Sequence, residues 1–385
     1  MAKLIRTLML ICLFTIALDG FCDTKYISII DAGSSGSRIH LYKIGYDKQL
    51  TVSEIDLGKG SKIHPGIATL ASTPDKVTDY INTLLNVLES SGHSDVPVYL
   101  YATAGMRTVS PFYQDSIYKA VRAVSEKIKD AKTIPGEKEG EFDWIAINFG
   151  PKPSVVVAGY KTTNDTTVGV MDMGGASMQV AYDAGAPGSS INKITIGNTV
   201  YNVYSRTYLG LGADDARYQF SDDADCFFRD FPMPDGGYGT GSFDKGLGKI
   251  HLLLKTLRGI EPIPSQILSK HQFAGIGAFF IIANYLKMGD PFTVDDIKSK
   301  GDQMSGTSWD PSSTNPYLFS DFFVAQYVTQ TLTDLGFTTE KIQVQDASWA
   351  VGAAIYLRFN KYKQLQNARE GQDLMAVRLK WSSSM

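Results

Sequence analysis

Two segments of the chain repeat one pattern: IIDAGSSGSRIHLY, from Ile29 to Tyr42, and VMDMGGASMQVAY, from Val170 to Tyr182. Each reads as a short apolar strand that ends in an aspartate, then a turn of small residues with Ser, then a return strand. Ile39, Leu41 and Ile44 carry the first return strand, and Met178, Val180 and Tyr182 alternate along the second. One such unit is an ordinary hairpin. Two in one chain imply two related lobes that face each other across a cleft.

The segments between them alternate in type. Pro74 after Thr73 predicts a helix start with Thr73 as its N-cap, and Val77, Tyr80, Ile81, Leu84, Leu85 and Leu88 make its apolar face, with Gly92 as the stop. Pro97 to Ala102 reads as a buried strand. A second helix is expected from Pro111, with Ile117, Ala120, Val121, Val124 and Ile128 on one face. Alternating strands and helices indicate an α/β fold. Loops rich in Gly, Pro and Ser fall at 184–190, 232–248 and 301–316, and the last stretch from Gln364 to Met385 is polar.

The 385 residues suffice for two domains, and a net charge of −3 excludes a broad basic surface for nucleic acid. Phosphate binding must therefore come from local loops. Lys3 and Arg6 precede an uncharged apolar run from Leu8 to Leu18, which is short for a membrane span and reads as an export signal cut after Cys22. The expected protein is secreted or periplasmic, with no stable membrane span once residues 1–22 are removed. Of Cys12, Cys22 and Cys226, only Cys226 would remain. The lack of disulfides in an exported chain of this size favours a bacterial exported protein. Five histidines and no paired cysteines give no zinc signature.

The turn Asp31-Ala32-Gly33-Ser34-Ser35-Gly36-Ser37 can wrap a phosphate, because small residues let backbone N–H groups converge on an anion and serine hydroxyls add donors. Asp172-Met173-Gly174-Gly175-Ala176-Ser177 offers the same. Asp31 and Asp172 each end a buried strand, where a carboxylate is costly without a partner. A hydrated Mg²⁺ or Ca²⁺ on a substrate phosphate would supply one. No Walker loop, dinucleotide fingerprint or serine-hydrolase elbow is present. Thr103-Ala104-Gly105-Met106-Arg107 places another hydroxyl at a strand end. Glu137, Glu139 and Glu141 lie in the first turns of an apparent helix, and the residues alone do not choose among them.

The chain resembles the ecto-apyrase family, the nucleoside triphosphate diphosphohydrolases of the actin-like superfamily. The matching motifs stand in order: DAGSSGSR at Asp31–Arg38, TAGMR at Thr103–Arg107, EGEFDWIAIN at Glu139–Asn148 and DMGGASMQV at Asp172–Val180. VYSRTYLGLGADDAR at Val203–Arg217 resembles the helix that follows the fourth motif, while HQFAGIGAFF at His271–Phe280 and SWAVGAAIYL at Ser348–Leu357 are looser matches. The resemblance implies two actin-like, ribonuclease H-like lobes of mixed sheet flanked by helices, with the active site in the cleft. Residues 23–137 plus 348–385 would form lobe I and 138–347 lobe II, a helix near Ser348–Tyr362 returning to the first. It implies Glu139 as general base and Ser177 as orienter of the attacking water. Asp31, Thr103 and Asp172 would hold the metal, mainly through its waters. Gly33, Ser34, Ser35, Gly36 and Ser37, with Gly174, Gly175 and Ala176, would cradle two adjacent phosphates. Glu141 is then a surface acid that suits the helix dipole.

The implied reaction takes nucleoside tri- and diphosphates to the monophosphate, with no protein partner. The Gly36-Ser37-Arg38 variant stands closer to the soluble nucleoside diphosphatase branch, and Gly36 replaces a His of some members. Ile281 falls where the family often stacks an aromatic on the base, and Ala213 where some members have Arg. Trp309 and Tyr317 are substitutes for base contact. The competing readings are an exopolyphosphatase-like phosphohydrolase, against which the net charge and the third motif argue, and a non-catalytic actin-like nucleotide-binding protein.

Overall fold

The computed structural model describes residues 24–46, 50–151, 167–315 and 318–359. The expected signal, Tyr317 and the polar C-terminal stretch lie outside them.

The apolar runs noted above become the central strands of two six-stranded mixed sheets. In the first, β1 (Lys25–Ala32) pairs antiparallel with β2 (Ser37–Tyr46), which carries β3 (Leu50–Ile55) and the short β4 (Lys62–Ile63). On its other side β1 pairs parallel with β5 (Val98–Ala102), and β5 with β6 (Ile128–Thr133). The second sheet repeats this arrangement. β7 (Gly169–Met173) is antiparallel to β8 (Ser177–Asp183), which leads to β10 (Thr199–Leu209) and β9 (Ile191–Ile196). β7 is also parallel to β11 (Phe273–Gly277), and β11 to β12 (Ile342–Val344). The two Asp-Gly hairpins are thus equivalent central elements of two sheets built on one plan.

Each sheet is covered on both faces, which explains why β1 and β7 are apolar almost throughout. Ile30, Ala32 and Leu100 face a core shared with the helices Val77–Ser90 and Pro111–Val124. In the second sheet Met171, Met178 and Phe273 pack on the helices Phe243–His251, Ala278–Tyr285, Val294–Met304 and Leu318–Asp334. The opposite faces share one core. Ile27, Ile29, Tyr99 and Tyr101 from the first sheet and Val170, Ala181 and Ala274 from the second enclose the helices Gly136–Phe149 and 349–359. Trp349, Ala350 and Ile355 of the final helix pack in that core, which both sheets share.

Several local expectations change. The segment after Thr73 begins as a 3₁₀ turn, Pro74–Lys76, with the α-helix from Val77, and the Thr73 side chain makes no capping bond. Gly92 does follow the helix end, with φ of +81°. Ile128 is not on the second helix. That helix ends at Val124, Ser125 is extended, and Ile128 opens β6. Val203–Arg217 is not one helix either. Its first part is β10, whose β-branched and aromatic residues pair with β8 and β9, and a helix occupies only Ala213–Tyr218.

Candidate active site

The two hairpin turns meet across a cavity of ≈ 290 Å³. Their proximity is tight. A Cβ built on Gly175 would lie 3.1 Å from Ser34 Oγ of the opposite turn and 2.8 Å from Asp214 Oδ2, so a larger residue at 175 would crowd the passage. Asp31, Gly33, Ser34, Ser35, Gly36, Thr103, Glu139, Asp172, Gly174, Gly175, Ala176 and Ser177 all line this one cavity. Residues from distant parts of the sequence are therefore brought together around it.

Ser37 is not in that wall. It is 1% exposed at the start of β2 and accepts a hydrogen bond from Tyr80 Oη at 2.9 Å. At Gly36 the space a side chain would fill holds His64, whose Nδ1 lies 2.7 Å from the Ser35 carbonyl oxygen. Ile281 is exposed on its helix. Trp309 packs edge-on against Phe231 at 5.0 Å, a packing contact beside the second core. Ala213 N–H donates to the Gly174 carbonyl at 2.8 Å and so braces the second turn from behind.

The three glutamates of the helix Gly136–Phe149 separate by place. Glu137 is exposed. Glu141 is not the surface acid expected above. It is 1% exposed, paired with Lys138, and accepts from Asn192 Nδ2 at 2.6 Å. Glu139 lines the cavity and is paired with Arg107 through Nη2. Arg107 is itself fixed by Nε to the Ile134 carbonyl at 3.0 Å, and its Nη1 reaches Ser177 Oγ at 3.4 Å. Gln179 Nε2 donates to Glu139 Oε2 at 3.2 Å, to Ser177 Oγ at 2.8 Å and to Thr207 Oγ1 at 3.2 Å. Glu139 and Ser177 are held by one shared frame.

Sequence reasoning passed over Gln179, Arg107 and Asp143. The signals were present. Gln179 is two residues after Ser177 on a strand and so shares its face, and Arg107 closes the TAGMR motif. Arg38 and Lys62 also line the cavity, placed opposite each other on β2 and β4 beside Asp31.

Four carboxyl groups crowd this region. Burial pushes Asp31 up to about 6, opposed by His40, Arg38 and Lys62. Burial pushes Glu139 up to about 7, opposed by the Arg107 charge and hydrogen bond, with Asp31 adding to the rise. Asp172 is pushed up to about 8 by burial and by the charges of Glu139 and Asp31. Asp143 is raised well above the ordinary carboxyl range, first by burial and then by Asp172. Such crowding is relieved by a cation. Asp31 Oδ1 is buried without a hydrogen-bond partner, a fit to a cation's water ligand. No three acidic, histidine or cysteine side chains among the described residues converge closely enough to ligate one ion directly. A hydrated ion carried on phosphate oxygens requires no such cluster.

The architecture recurs in known structures. It superposes on a nucleoside triphosphate hydrolase from Neospora caninum with a TM-score of 0.59, at 16% identity, over 92% of this chain and 96% of that one. In sequence the chain is 26% identical to the nucleoside-triphosphatase ntp-1 of Caenorhabditis elegans, over 91% of this chain and 77% of the relative. It is 25% identical to the nucleoside-diphosphatase mig-23 of Caenorhabditis briggsae, over 88% of this chain and 78% of that protein. The family model for GDA1/CD39 matches residues 21–224, more than half of the chain and all four ordered motifs, and the chain belongs to the GDA1/CD39 (nucleoside phosphatase) family.

Proposed function

We propose that the chain removes the terminal phosphate of nucleoside tri- and diphosphates, by direct attack of a water whose proton passes to Glu139. The observation that carries this is the frame of Arg107 and Gln179, which holds Glu139 and Ser177 together beside the two facing Gly-Ser turns. Ser177 orients the water, and Glu139 accepts its proton as the new P–O bond forms and the P–O bond to the bridging oxygen breaks, releasing phosphate and the shortened nucleotide. General base catalysis of this kind contributes ~10²–10⁴-fold. Backbone N–H groups of Gly33–Gly36 and of Gly175 and Ala176 bind the two outer phosphates and keep the attack in line, while the Gly174 N–H closes the second turn on the Ser177 carbonyl at 3.0 Å. Asp31, Thr103 and Asp172 would hold a divalent cation such as Mg²⁺ or Ca²⁺, which would supply neutralisation of charge at the phosphoryl oxygens.

Relatives with both triphosphatase and diphosphatase names support the pair of substrates. Other similar proteins are named for an ecto-nucleotidase and a Golgi apyrase, which supports action outside the cytosol; removal of residues 1–22 is part of the same proposal. No helix among the described residues is long and apolar enough to cross a membrane. Residues 23–137 plus 348–385 are proposed as one lobe and 138–347 as the other.

The test is Glu139→Gln, assayed for phosphate release and for nucleotide binding. The variant should bind a nucleotide with near-normal affinity and turn over at least a hundredfold more slowly. Near-normal turnover would remove Glu139 from the role of base.

A further inference from the structure

Asp143 is wholly buried, 0% exposed, and neither of its carboxyl oxygens has a hydrogen-bond partner among the described residues. It lies one helical turn after Glu139 and therefore on the same face of the helix Gly136–Phe149. The charges that act on it come from Asp172, Glu139 and Asp31, all acidic, and from Arg107. Arg107 is already committed to Glu139, the Ile134 carbonyl and Ser177. A buried carboxyl with no partner is among the costliest features a fold can carry, and any small neutral residue would avoid that cost. The neighbours Phe142 and Trp144 fill the shared core, with Phe142 stacked near Trp349 and Trp144 near Tyr201.

We propose that Asp143 is a positioning residue for the divalent cation, completing with Asp31 and Asp172 a three-carboxylate anchor for its water shell. This rests on the cation reading given above. Asp143 does not itself line the cavity, and the acids are not close enough to share one ion directly. With no hydrogen bond from Asp143 to Asp172, Asp143 acts through a bridging water of the cation's shell. Outer carboxylates of this kind orient the groups that touch a metal and fix its affinity.

The experiment is a Mn²⁺ titration followed by electron paramagnetic resonance, on the full chain in the presence of the non-hydrolysable imido analogue of ATP. Wild type, Asp143→Asn and Asp143→Ala are compared, with melting temperatures in chelator measured alongside. Both variants should bind Mn²⁺ ~10–100-fold more weakly, the usual range for loss of an outer partner. Their melting temperatures in chelator should hold or rise, because the Asp143 carboxyl makes no hydrogen bond that the variants would lose. Mn²⁺ affinity within twofold of wild type would overturn the inference and leave the cation reading intact. A wild type that hydrolyses nucleotide but binds no Mn²⁺ would overturn both. Failure of both variants to fold would assign Asp143 to the fold and also overturn it.

Discussion

Gln179 binds Glu139 from the neighbouring strand: its Nε2 donates to Glu139 Oε2 at 3.2 Å while also donating to Ser177 Oγ at 2.8 Å. One amide thus sets the separation of the proposed base and the residue proposed to hold the water. Gln179→Ala should lower kcat by about 10²-fold, the scale of losing one preorganised donor, with KM changed far less. Steady-state kinetics with ADP measures both. A kcat within threefold of wild type would show that Glu139 and Ser177 are aligned without it.

Glu141 has a different task from Glu139. Its carboxylate is buried against Lys138 and Asn192, away from the cavity lining. Glu141→Gln keeps the shape but weakens both bonds, so it should cost about 1–3 kcal/mol of stability. Turnover should stay within about threefold of wild type, since the residue stands outside the general-base step. Denaturant melts and phosphate release read the two effects separately. A dead but fully stable variant would exchange the roles of the two glutamates.

How much of this was legible in advance depends on how far apart the contributing residues lie. The Asp31 and Asp172 hairpins were visible because each is a local motif, and a period-two strand with a Gly turn needs no distant partner. The burial of Glu141 was not visible. It follows from Asn192 arriving from β9, far along the chain. Ile128 misled for a related reason: its apolar side chain fits a helical period as well as the first residue of β6, and only pairing with Val98 distinguishes them. The span before Ala213 was assigned by likeness to a helix, although its own Thr, Val and Tyr content favours the strand that forms.

The acidity of Glu139 should be readable in the pH profile. Burial raises its carboxyl to about 7 and Arg107 opposes that rise. A general base must be ionised, so kcat/KM should fall as pH drops through the acidic limb. Removing the guanidinium removes the opposing influence, so Arg107→Ala should move that limb to higher pH. Loss of the contact to Ser177 Oγ should also lower the plateau. A merely structural role for Arg107 would lower the plateau and leave the limb in place, which is the outcome that would sink this assignment.

The arrangement of the turns sets which phosphates can react. Ser34 and Gly175 face each other across the cavity mouth, and in the proposed reading two adjacent phosphates are held at once, one by each turn. The outer pair of a triphosphate meets that requirement, and so does the single pair of a diphosphate. A monophosphate cannot bridge the turns or present phosphorus in line with the water at Glu139 and Ser177. Ile281 is exposed and Ala213 is spent on bracing the second turn, so neither offers strong recognition of a particular base. ATP, ADP, GDP and UDP should therefore all be cleaved, with AMP as an end product, and a chelator should stop the reaction until Mg²⁺ or Ca²⁺ is restored. Chromatography of time courses with these nucleotides and with long-chain polyphosphate tests this. Arg38 and Lys62 give the cavity a local basic edge, so polyphosphate is the informative competitor. A clear preference for it over every nucleotide, or release from AMP at a comparable rate, would overturn the substrate assignment. Hydrolysis confined to diphosphates would keep the chemistry and place the chain's specificity with the nucleoside diphosphatases.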